Sequence, residues 1–143
     1  MVNLDKLRNI FAARWPDFKP EEVLSPDGII MVERGDFPMS LAAMDKLQAF
    51  RTHIGKPFKI NQPGLQHRGF RSLRENFAIN KWTYSFHCQG IAFDVTVPGL
   101  SMQELHDEAK KFGFTGLGLY STWVHMDVRP DIVRGRVAEW TGR

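Results

Sequence analysis

Ser85-Phe-His87-Cys-Gln-Gly90-Ile-Ala92-Phe-Asp94 is the stretch on which the reading of this chain turns. It sets a histidine at the end of a loop and an aspartate inside the β-branched and aromatic run 91–97, which Pro98 and Gly99 close as a strand. Further along, Trp123-Val-His125-Met-Asp127-Val-Arg129 puts a second histidine in another strand, 123–128. Two imidazoles and one carboxylate are a frequent donor set for a catalytic zinc, which keeps a fourth position open for water. Zinc held this way lowers the pKa of a coordinated water from about 15.7 to about 7, within reach of amide hydrolysis. His87, Asp94 and His125 are therefore the candidate metal ligands, and Gly90 and Ala92 leave space between the first two. On the residues alone, the competing reading is a set of polar side chains hydrogen-bonded at strand ends.

The elements around these segments follow from caps and periodicity. Between the two histidine segments, Ser101 and Glu104 predict a capping box, and Met102, Leu105, Ala109 and Phe112 form one apolar stripe that Gly113 ends. Upstream, Ser40 opens a helix whose Leu41, Met44, Leu47, Phe50 and Ile54 recur at helical spacing before Gly55 and Pro57. Asn3 caps a first helix over Leu4, Leu7, Ile10 and Phe11, and residues 72–79 predict a short one. Residues 15–38 read as an elaborated loop region with 29–32 as its one strand-like run, and 58–60 as a short buried strand. A strand over 116–120 and a last element around 133–140 complete the tail. Strands separated by short turns and one helix predict an α+β fold with a small antiparallel sheet flanked by helices. The expected organisation is a single domain over 1–143, with 1–38 as the amino-terminal helix and loop region and 39–143 as the core carrying the metal site.

Composition bounds the function. With 143 residues, 43% of them hydrophobic and charges of both signs dispersed, the chain can fill one core and lacks the pattern of disorder. A net charge of +3 suits an acidic partner, but Arg68, Arg71 and Arg74 form only a short broken stretch, so no nucleic-acid partner is expected. The lone Cys88 excludes an internal disulfide framework; beside His87 in extended chain it would point to the opposite face, so a small core role is expected. Neither a signal peptide nor a membrane span is legible, which predicts synthesis in the cytoplasm. Trp82, Tyr84, Tyr120 and Trp123 are candidates to line a cleft, with the core as the commoner place for aromatics at this density.

Ser85-x-His87-x-x-Gly90-x-Ala92-x-Asp94 and His125-x-Asp127-x-Arg129 resemble the two metal motifs of the zinc D-Ala-D-Ala carboxypeptidases and L-alanyl-D-glutamate endopeptidases, related in fold to lysostaphin-type peptidases and the hedgehog signalling domain. Residues 47–57 followed by Gly69-Phe-Arg71-Ser72 resemble the family's helix, strand and arginine loop, so the likeness covers most of the chain. The resemblance implies a hedgehog/D-Ala-D-Ala peptidase-like fold, Zn²⁺ on His87, Asp94 and His125, and Arg71 steadying the oxyanion at the scissile carbonyl. It implies a hydrolase of peptidoglycan peptides that acts on the cell wall; compact size, modest basicity and the lack of a legible signal peptide suit a phage endolysin or tail-associated lysin, with a bacterial enzyme exported by another route as the alternative, and a monomer is expected.

One position departs from the pattern. Many members carry a Glu or Asp three residues before the last histidine as general base; here it is Thr122, and losing a base commonly costs about 10² to 10⁴ in rate. Asp127 is the nearest substitute in sequence, as a partner that orients an imidazole first, then as a base or a substrate contact. Glu75 and His67 are further candidates. Thr122 also supports an alternative, a zinc-binding structural or recognition domain of the same fold with little hydrolytic activity.

Overall fold

Asn3 accepts a hydrogen bond from the Lys6 N–H and starts α1 (Leu4–Arg14), whose Leu7 and Phe11 are buried. The computed structural model describes residues 3–82, 84–130 and 136–142. Two further helices follow where the sequence predicted a loop region: α2 (Pro20–Val23) and α3 (Pro26–Glu33). The run 29–32 is thus helical. Its strand-like composition is overridden upstream, where Ser25 caps the Gly28 N–H and Pro26, at the first position, already has a helical φ.

The next helix, α4 (Leu41–Ile54), begins at the Ser40 cap and ends on left-handed Gly55, burying Ala43, Met44, Leu47 and Phe50. The Phe50 ring packs against Phe58, Phe112 and Phe114 at 5.1 to 5.5 Å between centroids. Instead of the expected strand over 58–60 there is a single bridge, Lys59 to Thr96, with Phe58 and Ile60 buried on either side. The reciprocal capping box forms at Ser72 and Glu75, which open α5 (Leu73–Asn80). At α6 (Met102–Phe112) the Ser101 hydroxyl accepts from the Glu104 N–H, and Gly113 closes the helix.

The sheet contains β1 (Ala92–Val95), β2 (Gly116–Leu119), β3 (Val124–Asp127) and β4 (Ala138–Thr141) in the order β1-β3-β2-β4. The first three strands are antiparallel as expected, but β4 adds to β2 in parallel, so the sheet is mixed. Of the tail element expected around 133–140, residues 131–135 lie outside the described residues. The fold is α+β.

Alternation sorts the strands into two faces. Phe93, Val95, Leu117, Val124 and Met126 are fully buried and join Leu105 and Ala109 of α6 in one hydrophobic cluster that also takes in Leu7, Phe11 and Trp15. Each such side chain contributes about 1.5 to 3 kcal/mol by leaving water. The other face carries Asp94, His125, Gly118 and Trp140 in one row across the four strands, and Ala92, Asp127, Gly116 and Ala138 in the next. No helix among the described residues is long and apolar enough to cross a membrane.

Candidate metal centre and cleft

The first motif has a local explanation. Ser85 caps a 3-10 turn over Phe86–Gln89 by accepting from the His87 N–H at 3.1 Å, and Gly90 ends it in the left-handed conformation. A Cβ at Gly90 would lie 2.1 Å from the Pro38 carbonyl oxygen, so only glycine fits where this turn meets the segment before α4. The turn delivers His87, 2% exposed, to the end of β1 and beside Asp94.

The outer hydrogen bonds of both imidazoles fix their tautomers. His87 Nδ1 lies 2.7 Å from the Gly69 carbonyl, which can only accept, so Nδ1 carries the proton and Nε2 keeps its lone pair. His125 Nε2 lies 2.7 Å from Asp127 Oδ2, which leaves the His125 Nδ1 lone pair facing inward. Each inner nitrogen is 3.2 Å from Asp94 Oδ1. Three acceptors thus converge, with one ligand atom from each residue all within 4.8 Å of one another. Acceptors so placed repel unless a cation joins them. Tetrahedral zinc at 2.0 to 2.1 Å from its donors spaces them by about 3.3 Å, so the arrangement fits the ion.

Burial and neighbouring charge act differently on the three residues. Burial pushes His87 below its ordinary value despite Asp94, keeping it neutral as a ligand must be. At His125, burial lowers the pKa but is outweighed by the hydrogen bonds to Asp127 and Asp94, and the net direction is upward. For Asp94, burial opposes ionisation, yet the two imidazoles hold it well below the usual carboxylate range.

Asp127 stands behind His125 rather than in the cleft. It is fully buried, and besides His125 it accepts from Arg129 N at 3.0 Å, Nε at 2.9 Å and Nη2 at 2.6 Å. With both oxygens engaged it orients an imidazole and has no free lone pair directed at a substrate. The place for this ion pair is made by Gly116, where a Cβ would lie 2.2 Å from Asp127 Oδ1 and 2.4 Å from Arg129 Nε.

The three inner atoms open onto a cleft of about 450 Å³ lined also by Arg71, Tyr84, Ser85, Phe86, Tyr120, Trp123, Arg129 and Trp140. Arg71 donates from Nε to Asn76 Oδ1 at 2.9 Å and from Nη1 to the His67 carbonyl at 3.0 Å. Burial lowers its pKa against the pull of Asp94, but a guanidinium stays charged. Tyr84, Tyr120 and Trp123 line the cleft as cleft aromatics, whereas Trp82 is 71% exposed. Thr122 is exposed on the turn between β2 and β3, its carbonyl accepting from Thr96 Oγ1. Glu75 is tied to Ser25, Ser72 and His67 and takes no part in this cleft. Cys88 is half-buried rather than a core residue, its thiol 3.8 Å from the Ser72 carbonyl.

Sequence reading does not find Trp140, whose ring lies 5.0 Å from that of His125 and whose Nε1 donates to Tyr120 Oη at 2.9 Å. The signal is indirect. Glycines at alternate positions of one strand, 116 and 118, clear a face for bulky partners, and a Cβ at Gly118 would lie 2.5 Å from Trp140 Nε1.

Neither the curated proteins nor the solved structures yield a match to this chain. The family model described as Peptidase M15 matches residues 17–127, a span that contains His87, Asp94, His125 and Arg71. The family comprises zinc-dependent peptidases, which accords with a donor set able to hold a metal ion. On that match the chain belongs to the Peptidase M15 family.

Proposed function

We propose that the protein is a zinc-dependent hydrolase of an amide bond in peptidoglycan stem peptides or their cross-links, of the D-Ala-D-Ala carboxypeptidase or endopeptidase type. The carrying observation is the convergence of His87 Nε2, Asp94 Oδ1 and His125 Nδ1 at the floor of a cleft that Arg71 also lines. Zinc held there would supply Lewis acidity and make water acidic enough to attack an amide near neutral pH. The rest is done by the chain. Gly69 and Asp127 keep both rings in the ligating tautomer, and Arg71, braced by Asn76, stabilises negative charge developing on the scissile oxygen. The cell wall as place of action follows from this substrate, and a lysin is the role that suits it.

Asp94 is the only carboxylate lining the cleft among the described residues. Proton removal from water therefore lacks a dedicated base, and turnover should be about 10² to 10⁴ slower than with a placed general base. The same observation favours a second reading, a recognition domain that keeps the metal and cuts little or nothing.

Incubating the zinc-loaded protein with purified peptidoglycan, with and without chelator, separates the two. Chelator-sensitive appearance of free amino groups supports the hydrolase, and mass spectrometry of the fragments names the bond. Stoichiometric zinc with no bond cut supports recognition.

A further inference from the structure

Three hydroxyl-bearing side chains line the metal cleft: Tyr84, Ser85 and Tyr120. Ser85 Oγ caps the turn under His87, and Tyr84 is 59% exposed, its hydroxyl accepting from Gln89 Nε2. Tyr120 is placed differently. It follows β2 two residues after Gly118, so alternation puts it on the face that carries Asp94, His125 and Trp140. Asp127 is buried one row to one side of the ligands; Tyr120 stands one row to the other side and lines the cleft.

The ring is fixed along both edges and on one face. A Cβ at Gly118 would lie 2.8 Å from its Cε2 and one at Gly142 2.1 Å from its Cε1, so two glycines leave the slot it fills. Trp123 stacks on it with centroids 4.7 Å apart and planes 15° apart. Thr96 Oγ1 steadies the turn before Trp123 by donating to the Thr122 carbonyl at 2.7 Å. Trp140 Nε1 can only donate, so Tyr120 Oη accepts from it at 2.9 Å, and the same indole packs 5.0 Å from the His125 ring. The phenolic proton has no acceptor among the described residues, and one lone pair of Oη is unused.

We propose that Tyr120 is the proton relay of the hydrolysis, passing a proton to the leaving nitrogen while taking one from the attacking water. As the water oxygen bonds to the carbonyl carbon, the carbonyl pair moves onto its own oxygen, which Arg71 steadies. One water proton passes to Oη and the phenolic proton passes to the amide nitrogen, so Tyr120 ends as it began. The C–N bond then breaks with its electron pair on nitrogen, the oxyanion pair reforms the carbonyl, and a carboxylic acid and an amine are released. A side chain that gives one proton and takes another does part of the work of the carboxylate that Thr122 replaces. This rests on the hydrolase reading above and deepens it.

The test uses the zinc-loaded full chain, wild type and Tyr120→Phe, on three matched probes. The first is a synthetic stem peptide with the bond that the peptidoglycan digest shows to be cut. The second is its depsipeptide, with oxygen in place of the scissile N–H, and the third its phosphinate, with PO2–CH2 in place of CO–NH. Tyr120→Phe keeps the ring and its stack, so zinc should stay near one per chain. On the amide, kcat should fall about 10²-fold with KM little changed, the lower end of what proton transfer by a placed side chain contributes. On the depsipeptide the loss should be about tenfold smaller, because an alkoxide departs with less need of a proton than an amide anion. The phosphinate has no leaving nitrogen, so its affinity by calorimetry should be the same for both proteins. Loss of zinc, weakened phosphinate binding, or equal losses on amide and depsipeptide would each overturn the relay and leave Tyr120 a structural residue. A variant that cuts the amide as fast as wild type overturns it too, and leaves the hydrolase reading standing. A digest with no cut bond ends that reading and the relay together.

Discussion

Two of the clusters that pair histidine with carboxylate, one around Glu75 and one around Asp94, differ in how their hydrogen bonds close. Around Glu75, donors and acceptors balance: its oxygens receive Ser25 Oγ at 2.6 Å, the Ser72 N–H at 2.8 Å, the Asp27 N–H at 3.2 Å and His67 Nε2 at 3.2 Å. That cluster staples the start of α3 to the start of α5 and asks for nothing more. Around Asp94, the outer partners of His87 and His125 turn the inner nitrogen of each ring toward one carboxylate oxygen, an arrangement that could hold a metal ion. Residue types alone do not distinguish a staple from a metal centre; the direction of each proton does.

The largest expected break in this contrast is His125→Ala. It removes one of three donors, so bound zinc, read by elemental analysis after gel filtration, should fall far below one per chain. Peptidase activity should drop by more than about 10³-fold, while the apo protein keeps its fold. Glu75→Ala should do the reverse. Loss of the staple costs about 2 to 4 kcal/mol in denaturant unfolding because buried donors are left unpaired, yet zinc stoichiometry stays near one.

Asp127→Asn tests the layer behind the metal. Weaker orientation of His125 should lower zinc affinity by about 10- to 100-fold in a chelator competition, and an unchanged affinity would remove Asp127 from the site. The smallest effect belongs to Asp27 in the staple, where the hydrogen bond from Arg74, then the Ser72 hydroxyl, holds its carboxyl below the ordinary value. A depressed folded pKa gives stability that is present above the unfolded value of about 3.9 and lost as pH falls through the folded one. The difference in thermal stability between wild type and Asp27→Asn, seen at pH 7, should therefore begin to shrink as pH falls below the unfolded value of about 3.9 and vanish only below the depressed folded one.

The parts of the fold that local chemistry dictates could be read from the chain. Ser40 with Gly55, and Ser101 with Gly113, bound their helices because caps and left-handed glycines act within a few residues. The metal motifs were legible for the same reason, since Ser85, Gly90 and Ala92 shape the turn and strand that hold His87 and Asp94. Residues 29–32 misled because four apolar residues in a row carry no period, while the Ser25-Pro26 start that decides the matter lies outside the run. The parallel pairing of β4 and the place of Trp140 were not legible, since both depend on glycines 116 and 118 in a strand some twenty residues away. The role of Asp127 needed three dimensions too: alternation gave its face, but the Arg129 pair that uses up its oxygens involves side-chain reach.

The close approach at Gly90 ties the catalytic turn to distant chain. Its carbonyl accepts from the Ser40 N–H at 2.9 Å, and no side chain separates the two backbones. Loosening the amino-terminal helices would thus slacken the hinge that carries His87, and metal affinity would register damage far from the metal. Zinc uptake becomes a gauge of whether the two halves of the molecule have closed on each other, because binding energy at such a junction is also folding energy.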